Sequence, residues 1–268
     1  LTKPFDVDEL EARLRHALDR QEFLLHYQPK ADLATGRVTG VEALLRWQPP
    51  GDGLIGPDQF IPALEETGLI VGVGGWVLRE ACGQMRRWQQ DGMRPLQLAV
   101  NLSARQLRQP GLVELVAQAL AETGLEAHRL EVELTESMLI DDSELVQEAL
   151  TGLADMGVRI AIDDFGTGHS SLRYLKRFQV DTLKIDRSFV MGTPGDADDS
   201  AITAAVIALG QGLGLNVVAE GVETDAQLAF LQARQCHEWQ GYLLSRAIGP
   251  DAFLRWLSAR EASPGSAS

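Results

Sequence analysis

Apolar and polar positions follow two rhythms along this chain. Short runs rich in Val, Ile, Leu and Ala read as β-strands at 23–28, 38–45, 96–101, 130–135, 158–163, 181–186, 216–220 and 238–243. Between most of them the apolar residues recur at helical spacing, which predicts helices over Val73–Asp91, Leu112–Thr123, Ser143–Met156 and Ser200–Leu213. Gly92, Gly124, Gly157 and Gly214 stand just past these helices, where a left-handed residue commonly ends one. Strands alternating with helices in this way predict an α/β fold of the TIM (β/α)8 barrel type.

The first connection departs from that plan. Only nine residues, Pro29–Arg37, separate the first two strands, and they include the turn-like Ala34–Gly36. A parallel crossover takes about a dozen residues or more. The first strand is therefore expected to run antiparallel to the second, giving a modified TIM barrel. Ala201–Ala219 is uncharged over 19 residues, yet it holds Gly210, Gln211, Gly212, Gly214 and Asn216. It reads as helix, turn and strand, not as a membrane span. Residues 1–20 form an amphipathic helical segment with Leu10, Leu14 and Leu18 on one face. The barrel domain is expected over 21–258, and the Ser-, Ala-, Pro- and Gly-containing end, 259–268, is expected to be a disordered tail.

Charge adds one constraint. The 268 residues carry 24 Lys+Arg against 38 Asp+Glu, a formal net charge of −14. That balance argues against a DNA-coating role or a polybasic membrane binder. Cys82 and Cys236 fit neither a disulfide framework nor a metal-binding spacing, so a reducing, cytoplasmic setting is expected. The acidity has a plain reading as solvated surface and a sharper one as carboxylates that form a site.

In a barrel of this kind the reactive groups stand at the C-terminal ends of the strands. Those ends carry Asn101, Glu133 with Glu136 after it, Asp163-Asp164, Lys184 with Asp186, Glu220 and Gln240, and Glu42 interrupts the apolar run of the second strand. Each has a structural alternative: a strand-end Asp often caps a helix or makes a turn, and Asn101 before Ser103 fits a helix cap. Together they form a set of carboxylates that burial would penalise without a cation or proton to offset it. None of the five histidines stands in a zinc spacing. The ligands on offer are oxygens, which favour Mg²⁺ or Mn²⁺, with Ca²⁺ also compatible. This many carboxylates suits two ions about 3.5–4 Å apart, an arrangement used for in-line displacement at phosphorus. Gly166 and Gly168 follow the adjacent Asp163 and Asp164 and allow a sharp backbone turn beside them.

These residues resemble a known family. Glu42-Ala43-Leu44 within VEALLRW, YQP (27–29), FIPALEETGLI (60–70), VNLSARQL (100–107), ELTES (133–137), DDFGTGHSSL (163–172), LKIDRSFV (183–190), AEGVET (219–224) and QGY (240–242) are similar, in order, to the landmarks of the EAL-domain cyclic-di-GMP phosphodiesterases of bacterial signalling. The resemblance implies a modified barrel with an antiparallel first strand. It also implies Mg²⁺- or Mn²⁺-dependent hydrolysis of cyclic di-GMP to linear pGpG. Glu42, Asn101, Glu133, Asp163, Asp164 and Glu220 are then the metal ligands. Lys184 positions the attacking water, Glu42 and Glu220 join it in catalysis, and Glu136 anchors the loop after strand five. Gln28, Arg46 and Gln240 are the substrate contacts, and the fork of Arg suits a phosphate. A homodimer is implied as well. His169, His237 and Ala247 depart from the usual pattern, none of them at a metal ligand. Lys3-Pro4-Phe5 resembles the end of a response-regulator receiver domain, whose remainder would precede this chain. The alternative function is a catalytically weak or inactive receptor for cyclic di-GMP. A third is a barrel acting on another phosphodiester.

Overall fold

A computed structural model gives the fold, and it describes residues 7–140, 143–168, Leu175 and 177–262. Eight strands close into a barrel in sequence order: β1 (Phe23–Asp32), β2 (Val38–Trp47), β3 (Gln97–Asn101), β4 (Leu130–Thr135), β5 (Arg159–Phe165), β6 (Thr182–Ile185), β7 (Asn216–Ala219) and β8 (Glu238–Trp239). β1 is antiparallel to both its neighbours, with Gln28 opposite Glu42 on β2 and Ala31 opposite Trp239 on β8. All other neighbouring pairs are parallel. The expected reversal of the first strand is what the short connection produces. Asp32 Oδ1 accepts the Thr35 amide at 2.7 Å, and Gly36 adopts a left-handed φ of 67°, so the chain turns back without a helix.

The described helices surround the barrel: α1 (Val7–Ala17), α2 (Ile61–Thr67), α3 (Ile70–Gln90), α4 (Ala104–Leu107), α5 (Leu112–Thr123), α6 (Glu144–Asp155), α7 (Arg187–Gly192), α8 (Ala197–Leu213), α9 (Asp225–Gln232) and α10 (Pro250–Ala262). Gly124 and Gly214 cap α5 and α8 in the left-handed conformation, as expected. The apolar faces of the helices meet the outward side chains of the strands. Leu98, Leu130, Val132, Ile160, Leu183 and Val217 are fully or almost fully buried there. Leu10, Leu14 and Ala17 of α1 belong to the same core. Among the described residues no helix is long and apolar enough to cross a membrane.

Two expectations change. The run 238–243 is strand only over Glu238–Trp239. Beyond it Gly241 packs so closely on the next segment that a Cβ would stand 2.1 Å from the Val222 carbonyl oxygen. At the other end α10 continues to Ala262, so 259–262 are helical and not part of a disordered tail. Phe253 and Leu257 bury its inner face, and Arg94 Nε holds Glu261 at 2.8 Å. Lys3, Pro4, Phe5, His169 and residues 263–268 lie outside the described residues.

Candidate active site

Side chains alternate along a strand, so every second residue of a barrel strand points inward. At the C-terminal mouth those inward positions are Glu42, Asn101, Glu133, Asp163, Lys184 and Glu220, joined by Gln240 just past β8. The pairing places Asn101 opposite Glu133, and Thr135 opposite Asp163. Reversal of β1 adds Gln28 at the height of Glu42.

The side chains meet in one hydrogen-bonded cluster. Lys184 Nζ lies 2.6 Å from Glu133 Oε2, 2.8 Å from Glu220 Oε1, 3.1 Å from Asp163 Oδ2 and 3.9 Å from Glu42 Oε2. Asn101 Nδ2 donates to Glu42 Oε1 at 2.7 Å, and Gln240 Nε2 donates to Glu42 Oε2 at 2.6 Å. Gln240 Nε2 also reaches Gln28 Oε1 at 3.2 Å, while Gln28 Nε2 donates to the Ser245 carbonyl at 3.2 Å. Asn101 is not the cap of the next helix: Ser103 fills that role in a capping box with Gln106, which leaves Asn101 free for the mouth.

Burial sets the electrostatics. It works against the charged form of Glu42, but the Lys184 ammonium and the hydrogen bonds from Gln240 and Asn101 hold that carboxyl below its ordinary range. Glu133 moves the other way: burial and the nearby Glu42 charge push it well up, against the pull of Lys184. Burial also lifts Glu220 to about 8, aided by Asp163 and Glu42 and opposed by Lys184. Asp164 is raised to about 6 by burial and by the charges of Asp163 and Asp186. Lys184 stays firmly protonated, because Asp163, Glu133, Glu220 and Glu42 outweigh the effect of its burial. One ammonium thus serves several carboxylates that repel one another.

The donor set fits hard divalent cations. Oxygens of Asp163, Asp164 and Glu220 all lie within 4.8 Å of one another. Glu133 Oε1 is buried with no hydrogen-bond partner, an atom that a cation would satisfy. Asp164 holds a left-handed φ of 53°, which lets two consecutive carboxylates serve one site. Asp186 follows Lys184 at the end of β6 and caps α7, its Oδ1 accepting the Ser188 amide at 2.9 Å; its charge stands near enough to Asp164 to help raise that carboxyl. The helix-capping alternative for a strand-end Asp is therefore the one that Asp186 takes.

Glu136 is buried behind the cluster, and its Oε2 accepts the Gly166 amide at 3.1 Å. Gly168 stands against the same carboxyl. Arg46 lies further along the inward face of β2 and donates from Nη1 to the Leu45 carbonyl at 2.8 Å. The structure therefore gathers all the sequence-predicted residues at or around the mouth, with Arg46 at its rim. Two cavities open on the cluster. One, of about 490 Å³, has an apolar wall of Pro57, Ile61 and Val73. The other, of about 190 Å³, is lined by Gln28, Glu220, Gln240 and Tyr242. Glu42, Leu44 and Asp163 line both, so the carboxylates stand between two compartments.

Known proteins are similar to this chain in sequence and in fold. The chain is 51% identical over 241 residues to the bifunctional diguanylate cyclase/cyclic di-GMP phosphodiesterase MucR of Pseudomonas aeruginosa, covering 90% of this chain and 35% of MucR. It is 46% identical over 251 residues to the cyclic di-GMP phosphodiesterase NbdA of the same organism, covering 94% of this chain and 32% of NbdA. It thus spans about a third of the length of these relatives. The solved structure of the PaMucR phosphodiesterase in complex with c-di-GMP superposes with a TM-score of 0.88 at 50% identity, covering 91% of this chain and 99% of that one. The EAL domain family matches residues 11–247, a span that includes every residue of the acidic mouth, and this chain belongs to that family.

Proposed function

We propose that this chain hydrolyses one phosphodiester of cyclic di-GMP, giving linear pGpG, with two Mg²⁺ or Mn²⁺ ions in the barrel mouth. The observation that carries the reading is the position of the all-oxygen cluster between two cavities that share Glu42, Leu44 and Asp163. A ligand with a phosphodiester at its centre and a bulky base on each side suits that geometry. Similarity to cyclic di-GMP phosphodiesterases supports the choice of substrate.

Glu42, Asn101, Glu133, Asp163, Asp164 and Glu220 would hold the ions. Bound there, divalent cations supply Lewis acidity toward a phosphate oxygen and make water easier to deprotonate. The chain's own groups do the rest. Lys184, whose ammonium stands among Glu133, Asp163 and Glu220, would turn one N–H from these carboxylates to orient the attacking water. Glu220 stands 2.8 Å from that ammonium and is a carboxylate able to take a proton. Gln240 and Asn101 each hold one oxygen of Glu42 and so fix its plane. Arg46 and Gln28 stand at the rim to meet the substrate, with Arg46 suited to a phosphate oxygen. Glu136 ties down the loop that follows Asp163 and Asp164. A cytoplasmic location, a homodimer and an upstream receiver domain belong to the same reading, through the family resemblance and Lys3-Pro4-Phe5.

The test is direct. Purified protein is incubated with cyclic di-GMP and Mg²⁺ or Mn²⁺, and pGpG is followed by chromatography. Turnover that a chelator stops and added metal restores is expected. Glu42→Ala should abolish it, and persistent activity in that variant would sink the ligand assignment. Binding of cyclic di-GMP with no turnover would establish the receptor alternative.

A further inference from the structure

Below the mouth, the barrel interior holds a second polar layer that the reaction does not use. Lys30 on β1 and Glu131 on β4 are 2% and 1% exposed, and Lys30 Nζ lies 2.5 Å from Glu131 Oε1. The other oxygen, Glu131 Oε2, accepts from Thr182 Oγ1 of β6 at 2.7 Å. β1 and β4 are not neighbours in the closed sheet, so this ion pair crosses the barrel interior. Because β1 runs backwards, Lys30 follows Gln28 in sequence yet lies deeper: Gln28 is opposite Glu42, and Lys30 is opposite Gly40.

The chain makes room for it. A Cβ on Gly40 would stand 2.7 Å from Lys30 Cε and 2.8 Å from the Gln97 carbonyl oxygen, so glycine is required at that point of β2. Ala99 on β3 pairs with both Glu42 and Glu131, and Ala161 on β5 pairs with both Glu133 and Thr182. These small residues leave the interior to the long polar side chains. An apolar filling is the ordinary content of such a barrel. A buried Lys–Glu pair is also a poor source of net stability, since desolvation offsets much of its attraction. What it does supply is fixed geometry. Glu131 and Thr182 stand two residues before Glu133 and Lys184 on the same two strands, so each pair shares the inward face. One step up, Glu133 and Lys184 meet at 2.6 Å.

We propose that Lys30 is a positioning residue for the metal centre: by holding Glu131, and Thr182 through it, Lys30 fixes β4 and β6 at the height where Glu133 and Lys184 meet. The inference rests on the metal-dependent reading above and deepens it.

The test compares the wild-type chain with Lys30→Met, a substitution of similar length without charge. Mn²⁺ alone is titrated and followed by electron paramagnetic resonance. Then kcat and KM for cyclic di-GMP are measured with Mn²⁺, and unfolding is followed by circular dichroism. K30M is expected to weaken Mn²⁺ binding about 10-fold and to lower kcat by a similar factor, the effect typical of groups that orient metal ligands. KM should stay within about two-fold, because no substrate contact is removed. A lower melting temperature with wild-type Mn²⁺ affinity and wild-type kcat would make Lys30 merely structural and overturn the proposal. If K30M does not fold, Thr182→Val removes only the second hold on Glu131. Weaker Mn²⁺ binding in that variant supports the proposal, and unchanged binding overturns it. A wild-type chain that neither binds Mn²⁺ nor turns over substrate defeats the metal-dependent reading itself, a result distinct from a variant that matches an active wild type.

Discussion

Lys184 Nζ satisfies one oxygen of Glu133 at 2.6 Å, while the other oxygen of the same buried carboxyl, Oε1, has no hydrogen-bond partner among the described residues. Both residues are 1% exposed. An unmet buried oxygen is costly, and its cost is tolerable where a cation can ligate it. Under the proposed function Glu133 is divided between a lysine that holds the carboxylates together and an ion that its free oxygen would receive.

Removing the lysine should expose that tension. In Lys184→Met, Glu42, Glu133, Asp163 and Glu220 lose the cation they share, and breaking a buried pair costs about 3–5 kcal/mol. Metal-free K184M should lose about that much in urea unfolding, and saturating Mg²⁺ should restore part of it. Turnover of cyclic di-GMP should fall at least about 100-fold, consistent with loss of an oriented donor. A variant as stable and active as wild type would remove Lys184 from the centre.

Metal binding should strengthen with pH. Burial, with Asp163 and Glu42 nearby, lifts the Glu220 carboxyl to about 8 in the metal-free protein, and burial with Asp163 and Asp186 lifts Asp164 to about 6. Each must release its proton to become a ligand. The folded pKa values are raised, so their contribution to metal-free stability is full below the unfolded values and is lost as pH rises through about 6 and then about 8. Over the same window Mn²⁺ affinity should increase. Calorimetry near pH 7 in buffers of different ionisation enthalpy should show proton release on binding. Affinity that is flat across this range would contradict the site's electrostatics.

Glu136→Ala tests the loop anchor. The Gly166 amide loses its acceptor at 3.1 Å, a change worth about 1–3 kcal/mol where the group is shielded from water. The loop after β5 should open more often, read as faster hydrogen exchange at Gly166 with little change at β3 and β4. kcat should fall about 10-fold, as for other supports of a metal site. Unaltered exchange at Gly166 would show that the carboxyl does not restrain the loop.

Asp164→Asn should separate stability from function. Asn tolerates the left-handed φ of 53° and removes a carboxyl that burial, Asp163 and Asp186 disfavour in its charged form. The metal-free variant should melt higher than wild type while Mn²⁺ binding weakens, the usual trade at a site built of like charges. A lower melting temperature would mean that the carboxylate is stabilising where it stands.

The barrel order was legible because each strand is a short apolar run and each crossover a helix of ordinary length. The reversed first strand was legible from a connection too short for anything but a turn. Local signals failed where packing decided: β8 is strand only to Trp239, with Gly241 then packed against the Val222 backbone, and α10 runs to Ala262 with Phe253 and Leu257 burying its face. Ser103 and Gln106 formed the cap that Asn101 also fitted, a choice made by side-chain reach rather than by residue type.

By itself the sequence determined the fold class, the antiparallel start and the list of strand-end oxygens, since periodicity and connection length are local properties of a chain. Tertiary structure decided which of those oxygens share the Lys184 ammonium, that the Asp186 charge helps raise Asp164, and that Lys30 crosses the barrel to Glu131. Those relationships depend on register between strands that lie far apart in the chain, 51 residues for Lys184 and Glu133 and 101 for Lys30 and Glu131, and on desolvation that arises only once the barrel closes.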